Sequence, residues 1–420
     1  MTMTLTTSSS GSHRTENLTT LCCYFVCLCF IICSTVHLPT HVECLATKSK
    51  GKKSKPSSTT SAGAGFGAKA QPVFVHTPDT SSTTQKLLKF LTSQKAKGLD
   101  KVDVGTNQAT GVRGLFCTEN IKKGKIICQV PSDCALALAD PNKNGEDCPT
   151  IAHGGANLIS MYLQPEDARQ FWSPYLDTLP KNDEQRTNFD PTPDFMCDDD
   201  IELLEFPRLI NMAKQRKEQI EQVAAEKGLT KEELQFATWL VASRAFELTL
   251  SGPDPSLASD NKNDDEEGEE EEYQMPKHDE RGQVISKSQQ KSIRILVPFL
   301  DLANHSSDQP NCKLTLIDPQ KDDAWFALEA TRPVTAGKEL TLSYGNGVES
   351  SVELLMDYGF VPSTNRIDAL MLKKGGEDCI TSLDKWTTTL EEDKAMLEMT
   401  DDDPVLSKIL RFRIRLKESY

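Results

Sequence analysis

Residues 151–250 read as mainly helical, whereas the apolar runs before and after them are short, of strand length, and stop at glycine, proline or charge. This arrangement constrains the chain more than any other feature, because many short strands carrying one long helical insertion make an α+β fold. Before the insertion, Thr84–Ala96 is expected as a helix with Leu87, Leu88 and Leu91 on one face. Gly111-Val112-Arg113-Gly114-Leu115-Phe116 is expected as a glycine turn entering a strand, and Ile126–Pro131 as a second strand stopped by its proline. Inside the insertion, Phe189–Phe195 is too proline-rich for a helix interior. Thr230 and Glu233 form a capping box that starts a helix running through Trp239 to Leu248, ended by Ser251-Gly252-Pro253. Strands are then expected at Arg294–Phe299, Cys312–Ile317, Trp325–Ala330 and Glu339–Tyr344, and helical patches at Ser350–Met356 and around Leu383–Leu397. No internal repeat is evident.

Charge is unevenly spread. The chain carries a formal −15 over 420 residues, yet residues 1–78 hold seven Lys/Arg against two acids, Glu16 and Glu43. The body is therefore strongly acidic and ill suited to general phosphate binding, which disfavours nucleic acid as a partner. Residues 252–290 are polar, with Asp264–Glu272 almost wholly acidic, and are expected as a solvated, disordered surface insertion.

The longest apolar run, Leu21–Cys33, has 13 residues, short of the ~18–20 that span a bilayer and the length of a signal-peptide core. Leu45–Pro78 follows with six Lys, many Ser/Thr and no acid, the composition of a transit peptide. In series the two resemble the bipartite leaders of algae with secondary plastids. The expectation is a signal-like segment at 1–44, a transit-like leader at 45–78, delivery to the plastid stroma and no stable membrane association once the leader is removed. The alternative is a secreted or membrane-anchored protein with a basic linker.

Five of the 13 cysteines sit in the apolar run, and the other eight are scattered without a CxxC pair. Neither a disulfide framework nor a zinc site is legible, so buried thiols in a reducing compartment are expected. Asn304-His305-Ser306 is also an N-glycosylation sequon, a hazard in the secretory pathway.

Four stretches are odd for purely structural segments. The Gly111–Gly114 turn lets a ligand approach the backbone, although most such glycines merely make turns. Ser243-Arg244-Ala245-Phe246 puts an arginine on an apolar helix end, where it either snorkels or pairs with a carboxylate. Val297-Pro298-Phe299-Leu300-Asp301-Leu302-Ala303-Asn304-His305-Ser306 runs an apolar strand into three polar groups that need partners if buried. Gly337-Lys338-Glu339-Leu340-Thr341-Leu342-Ser343-Tyr344-Gly345, with Asp357-Tyr358-Gly359-Phe360 after it, places two tyrosines before glycines; a lone buried tyrosine is usually core, but the pair suggests hydroxyls facing a cavity.

In this order the four resemble the SET-domain methyltransferases, in the branch typified by Rubisco large-subunit lysine methyltransferase. Phe171-Trp172-Ser173-Pro174-Tyr175-Leu176-Asp177-Thr178-Leu179-Pro180 is similar to an element of that branch's insertion. The resemblance covers roughly residues 84–370. It implies a pseudoknotted SET fold at 79–365, with the helical insertion at about 140–250, and a short helical C-terminal extension at 366–420 in place of a larger substrate-binding domain. It implies S-adenosylmethionine held by the backbone at Gly111 and Arg113 and by Arg244, Asn304 and His305, with no metal. It also implies a protein lysine entering near Ser243, Asp301, Tyr358 and Phe360, with Tyr344 nearest the transferred methyl. The implied activity is protein-lysine N-methylation of a non-histone protein by a monomer. Protein-histidine methylation and a catalytically inactive SET-fold peptide-binding module are the alternatives.

Overall fold

The computed structural model describes residues 30–33, 76–139, 147–181, 192–250, 277–278, 284–285, 291–318, 324–376, 378–400 and 403–420. The leader expectations at 1–78 and the acidic stretch fall almost entirely outside these residues. The exceptions are a four-residue strand at Phe30–Cys33, His76–Pro78, and a two-stranded pairing of Lys277–His278 with Val284–Ile285. Among the described residues no helix is long and apolar enough to cross a membrane.

Three small sheets carry the architecture. A five-stranded sheet runs in the order Asn304–His305, Glu339–Leu342, Arg113–Cys117, Val102–Asn107, His76–Pro78. A three-stranded sheet runs Cys312–Ile317, Trp325–Ala330, Ile126–Pro131, with antiparallel neighbours. A third, Phe30–Cys33, Phe246–Leu250, Lys291–Leu296, Leu136–Ala137, is antiparallel throughout. Strands before and after the helical insertion are thus interleaved. Leu115, Val130, Leu296, Phe299, Leu328 and Leu340 from these strands and turns are fully buried in one apolar core.

The insertion comprises helices Ile151–Leu158, Glu166–Leu176, Asp198–Glu202, Pro207–Lys227 and Lys231–Arg244. Pro193–Phe195 forms one 3-10 turn, as the proline-rich break implies, and residues 182–191 lie outside the described set. Helix Lys231–Arg244 opens on the Thr230–Glu233 capping box, but ends at Arg244 and not at Leu248. Ala245 turns extended, and Phe246 and Leu248 pair with Ile295 and Ile293 across the third sheet. Strand pairing with a partner more than forty residues on takes these residues out of the helix that their local pattern also permits.

Smaller differences have local causes. The first helix, Ser82–Ser93, stops before Ala96 because Lys95 turns to φ 68° and Lys97 bridges to Gln129. The strand expected at Arg294–Phe299 is Lys291–Leu296, since the chain leaves the sheet at Val297-Pro298. The strand at Glu339 ends at Leu342, where Tyr344–Gly347 turns into a 3-10 helix. Beyond Ser351–Tyr358, two helices appear that the sequence patterns did not mark, Arg366–Lys374 and Pro404–Lys417.

The C-terminal extension shares a second core with the insertion. Leu372, Trp386, Ile409, Phe412 and Leu416 pack with Ile201, Leu204, Phe206, Leu209, Leu355 and Met356. A buried charge cluster supports this junction. Asp393 is fully buried and accepts from Arg413 Nη2 at 2.8 Å and Lys417 Nζ at 2.6 Å. Asp368, also fully buried, accepts from the Ser351 N–H at 2.6 Å and Arg415 Nε at 3.0 Å.

Candidate functional site

The site lies where the chain leaves the strand Lys291–Leu296 and enters the edge of the five-stranded sheet. Val297-Pro298 leads into Phe299, which is fully buried and held at φ 73°, ψ −45°. A bulky residue in this γ-turn-like conformation is strained and persists only where the surroundings over-determine it. The strained turn throws Asp301 into the interior and lets Asn304 and His305 join the sheet, parallel to Thr341 and Leu342.

Asp301 is fully buried, and its Oδ2 accepts from Arg244 Nη1 at 3.3 Å and from the Tyr175 hydroxyl at 2.9 Å. Burial pushes the Asp301 carboxyl up, opposed by the charge of Arg244 and the Tyr175 hydrogen bond. The same burial, reinforced by Asp301, raises the Tyr175 phenol well above its ordinary range. Among the described residues Arg244 Nε and Asp301 Oδ1 are buried without a hydrogen-bond partner. Such orphaned buried groups are costly unless something else engages them.

The structure therefore joins Arg244 and Asp301, which the resemblance assigns to cofactor and to substrate, in one ion pair. Ser243 precedes it at the buried helix end, its hydroxyl on the Leu240 carbonyl at 3.4 Å. Tyr175, from the insertion helix Glu166–Leu176, is the third member, and sequence reasoning gave it no role at the site. Its only signal was membership of the Trp172–Pro180 element.

Asn304 donates from Nδ2 to the Arg113 carbonyl at 3.0 Å and to Glu339 Oε1 at 2.7 Å. It thereby ties the glycine turn to the sheet edge. Gly111 has φ 72° and is exposed, with open space where a side chain would stand. Only the backbone of Arg113 faces this junction. Its guanidinium reaches away to Asp79 at 3.1 Å and Thr84 at 2.8 Å, and Asp79 is held at about 2 against its own desolvation by hydrogen bonds from Thr84 and Ser81 and by the Arg113 charge.

His305 Nδ1 accepts the Tyr344 backbone N–H at 3.0 Å, so its proton sits on Nε2, which donates to Ser307 Oγ at 2.7 Å. Burial lowers this imidazole to about 4, so it is neutral near pH 7. Tyr344 is buried, donates its hydroxyl to the Ala303 carbonyl at 3.2 Å and stacks on buried Tyr358, with centroids 4.8 Å apart. Phe360 closes the aromatic group, 6.1 Å from Tyr358 and 6.0 Å from His305. Among the described residues no cluster of three or more His, Cys, Asp or Glu has the geometry to hold a metal.

None of the curated proteins compared matches the chain. Solved structures match at the level of fold, three of them as follows. The SET domain of LSMT bound to lysine and AdoHcy has a TM-score of 0.51 at 15% identity, over 81% of this chain and 89% of that one. The same domain bound to MeLysine and AdoHcy has a TM-score of 0.53 at 15% identity, over 81% and 90%. Rubisco LSMT bound to AdoMet has a TM-score of 0.50 at 16% identity, over 80% and 89%. The SET domain profile matches residues 112–345, more than half of the sequence and a span containing every site residue but Gly111, Tyr358 and Phe360. The chain belongs to the SET-domain family.

Proposed function

We propose that this protein is an S-adenosylmethionine-dependent protein-lysine N-methyltransferase acting on a non-histone protein. The observation that carries the reading is the buried, stacked Tyr344–Tyr358 pair set directly against Asn304-His305. It is supported by likeness to structures solved with lysine or methyl-lysine and AdoHcy.

The residues present fit the cofactor chemically. The open Gly111 turn offers backbone, Asn304 has both amide hydrogens committed and its carbonyl oxygen available as acceptor, and Arg244 Nε is an orphaned cationic donor. When bound, S-adenosylmethionine supplies an electrophilic sulfonium methyl. The tyrosine pair and Phe360 form an apolar wall that excludes water and so favours a lysine amine in its neutral form. The Tyr344 hydroxyl and the Ala303 carbonyl are the oxygens at this wall that would accept weak C–H···O contacts from a methyl group. Alignment then contributes more to rate than acid–base help.

Incubating the full chain with labelled S-adenosylmethionine and a plastid extract tests the reading. Label on a protein lysine supports it. Label on histidine, or cofactor binding with no transfer, would replace it with one of the alternatives named above.

We place the mature protein in a reducing stroma. Seven cysteines are free thiols among the described residues and six of them are buried, with burial raising Cys128 and Cys134 to about 12. A glycan on Asn304 would displace the amide that binds Arg113 and Glu339. A fluorescent fusion of residues 1–78 tests this in a secondary-plastid alga, and secretion of the fusion would overturn it.

A further inference from the structure

Gly114 stands at a crowded point. A Cβ there would come within 2.7 Å of both Asn304 Nδ2 and Glu339 Oε1. The backbone of Arg113–Cys117 thus lies against a hydrogen bond between two side chains 35 positions apart, with no room for a methyl group. The other oxygen of the same carboxylate, Glu339 Oε2, accepts from Asn107 Nδ2 at 3.2 Å. Asn107 closes the glycine turn: its carbonyl accepts the Gly111 N–H at 2.8 Å, its N–H donates to Val112 at 2.8 Å, and its Oδ1 accepts from Ala109 N–H at 2.9 Å. Glu339 is itself fixed by the sheet, opposite Phe116 and with its carbonyl bound to Asn311 Nδ2 at 2.7 Å.

We infer that Glu339 is a positioning residue whose two carboxylate oxygens clamp Asn107 and Asn304 at once, setting the glycine turn and the Asn304 amide in one binding-competent geometry. The arrangement is bidentate and charge-assisted, which gives it direction as well as strength. With both Asn304 amide hydrogens committed to Arg113 and Glu339, the orientation of its amide is determined, leaving the carbonyl oxygen for a ligand. The side chains of Glu339 and Asn107 are engaged with the glycine turn and Asn304, so the clamp acts on binding and not on transfer. Its bearing on the cofactor rests on the function proposed above, whereas the clamp on the turn does not.

The test has two arms on the full-length protein. Hydrogen–deuterium exchange without ligand reads residues 107–114, and calorimetry reads AdoHcy affinity. Glu339→Ala is expected to raise exchange across 107–114 at least about fivefold, an opening of local structure, and to weaken AdoHcy at least about tenfold. In an Asn304→Ala background the same substitution should cost less than it does in the wild type, because only the Asn107 arm of the clamp is left to lose. Glu339→Gln keeps an acceptor for one amide and should fall between the extremes, giving a readable variant if Glu339→Ala folds poorly. Unchanged exchange at 107–114, or fully additive losses in the double variant, would overturn the inference. Absence of AdoHcy binding by the wild type would instead remove the proposed function while the exchange arm still decides on the clamp.

Discussion

His305 makes the stability of the fold depend on pH in a window where few other groups titrate. Its folded value of about 4 lies below the ordinary 6.5, so between these limits the unfolded chain binds a proton that the folded chain refuses. Stability is therefore complete above about 6.5 and is lost as pH falls toward 4. The full difference is about 3 kcal/mol, and between pH 7 and pH 5 the linkage relation gives a loss of about 2 kcal/mol. The structural cause is specific: protonating Nδ1 would set an N–H against the Tyr344 backbone N–H that it now accepts at 3.0 Å, in a site mostly closed to water. Exposed Asp308 offsets this only in part. Asn in place of His305 can offer an amide oxygen to the same N–H and has no titration of its own. Urea denaturation of the wild type and His305→Asn at pH 7 and pH 5 is the assay, with carboxylates and His153 cancelling between the two proteins. The wild type should lose about 2 kcal/mol more than the variant over this interval. Equal losses would refute the neutral imidazole that burial imposes in the folded protein.

Tyr344→Phe should leave cofactor affinity within about threefold and lower turnover at least about tenfold, because the lost hydroxyl acts at the reacting centre; calorimetry beside a transfer assay separates the two. Arg244→Ala should cost about 3–5 kcal/mol by leaving Asp301 unpaired in the interior, and Arg244→Ala with Asp301→Ala should be less harmful than the single change; denaturant midpoints decide the order. Tyr175→Phe removes one hydrogen bond to that carboxylate and should cost about 2 kcal/mol in the same measurement. Asp393→Ala leaves Arg413 and Lys417 buried without their shared partner and should destabilise by about 3 kcal/mol or more, read as early loss of exchange protection in Pro404–Lys417.

Much of the site was legible in the residues themselves. The Asn304-His305 run, the tyrosine before Gly345 and the glycine turn are each unusual within a few positions, and the structure places them together through the Asn304–Arg113 bond and the Tyr344–Tyr358 stack. Links between remote positions were not legible. Arg244 meets Asp301 across 57 positions, Tyr175 meets it across 126, and Asn107 meets Glu339 across 232. Residue type shows that each needs a partner, but nothing local shows which. The helix Pro404–Lys417 lies within the helical extension expected at 366–420, but its bounds and its buried charges were not legible, for a related reason. Lys408, Arg413 and Lys417 lie on its buried side among Ile409, Phe412 and Leu416, and the buried partner of Arg413 and Lys417 comes from another element.

By itself the sequence determined where elements start and stop wherever the deciding contact is local. Thr230 with Glu233, Ser350 with Glu353, and the proline after Val130 act within one turn of chain. The tertiary structure decided that Phe246–Leu250 is strand and not helix, since its alternation is too short to outweigh the helical pattern running into it until Lys291–Leu296 lies beside it. It also decided which charges may be buried. A desolvated carboxylate or guanidinium is tolerated only where the opposite charge or a donor arrives from another element, and that arrival is a property of the packed fold.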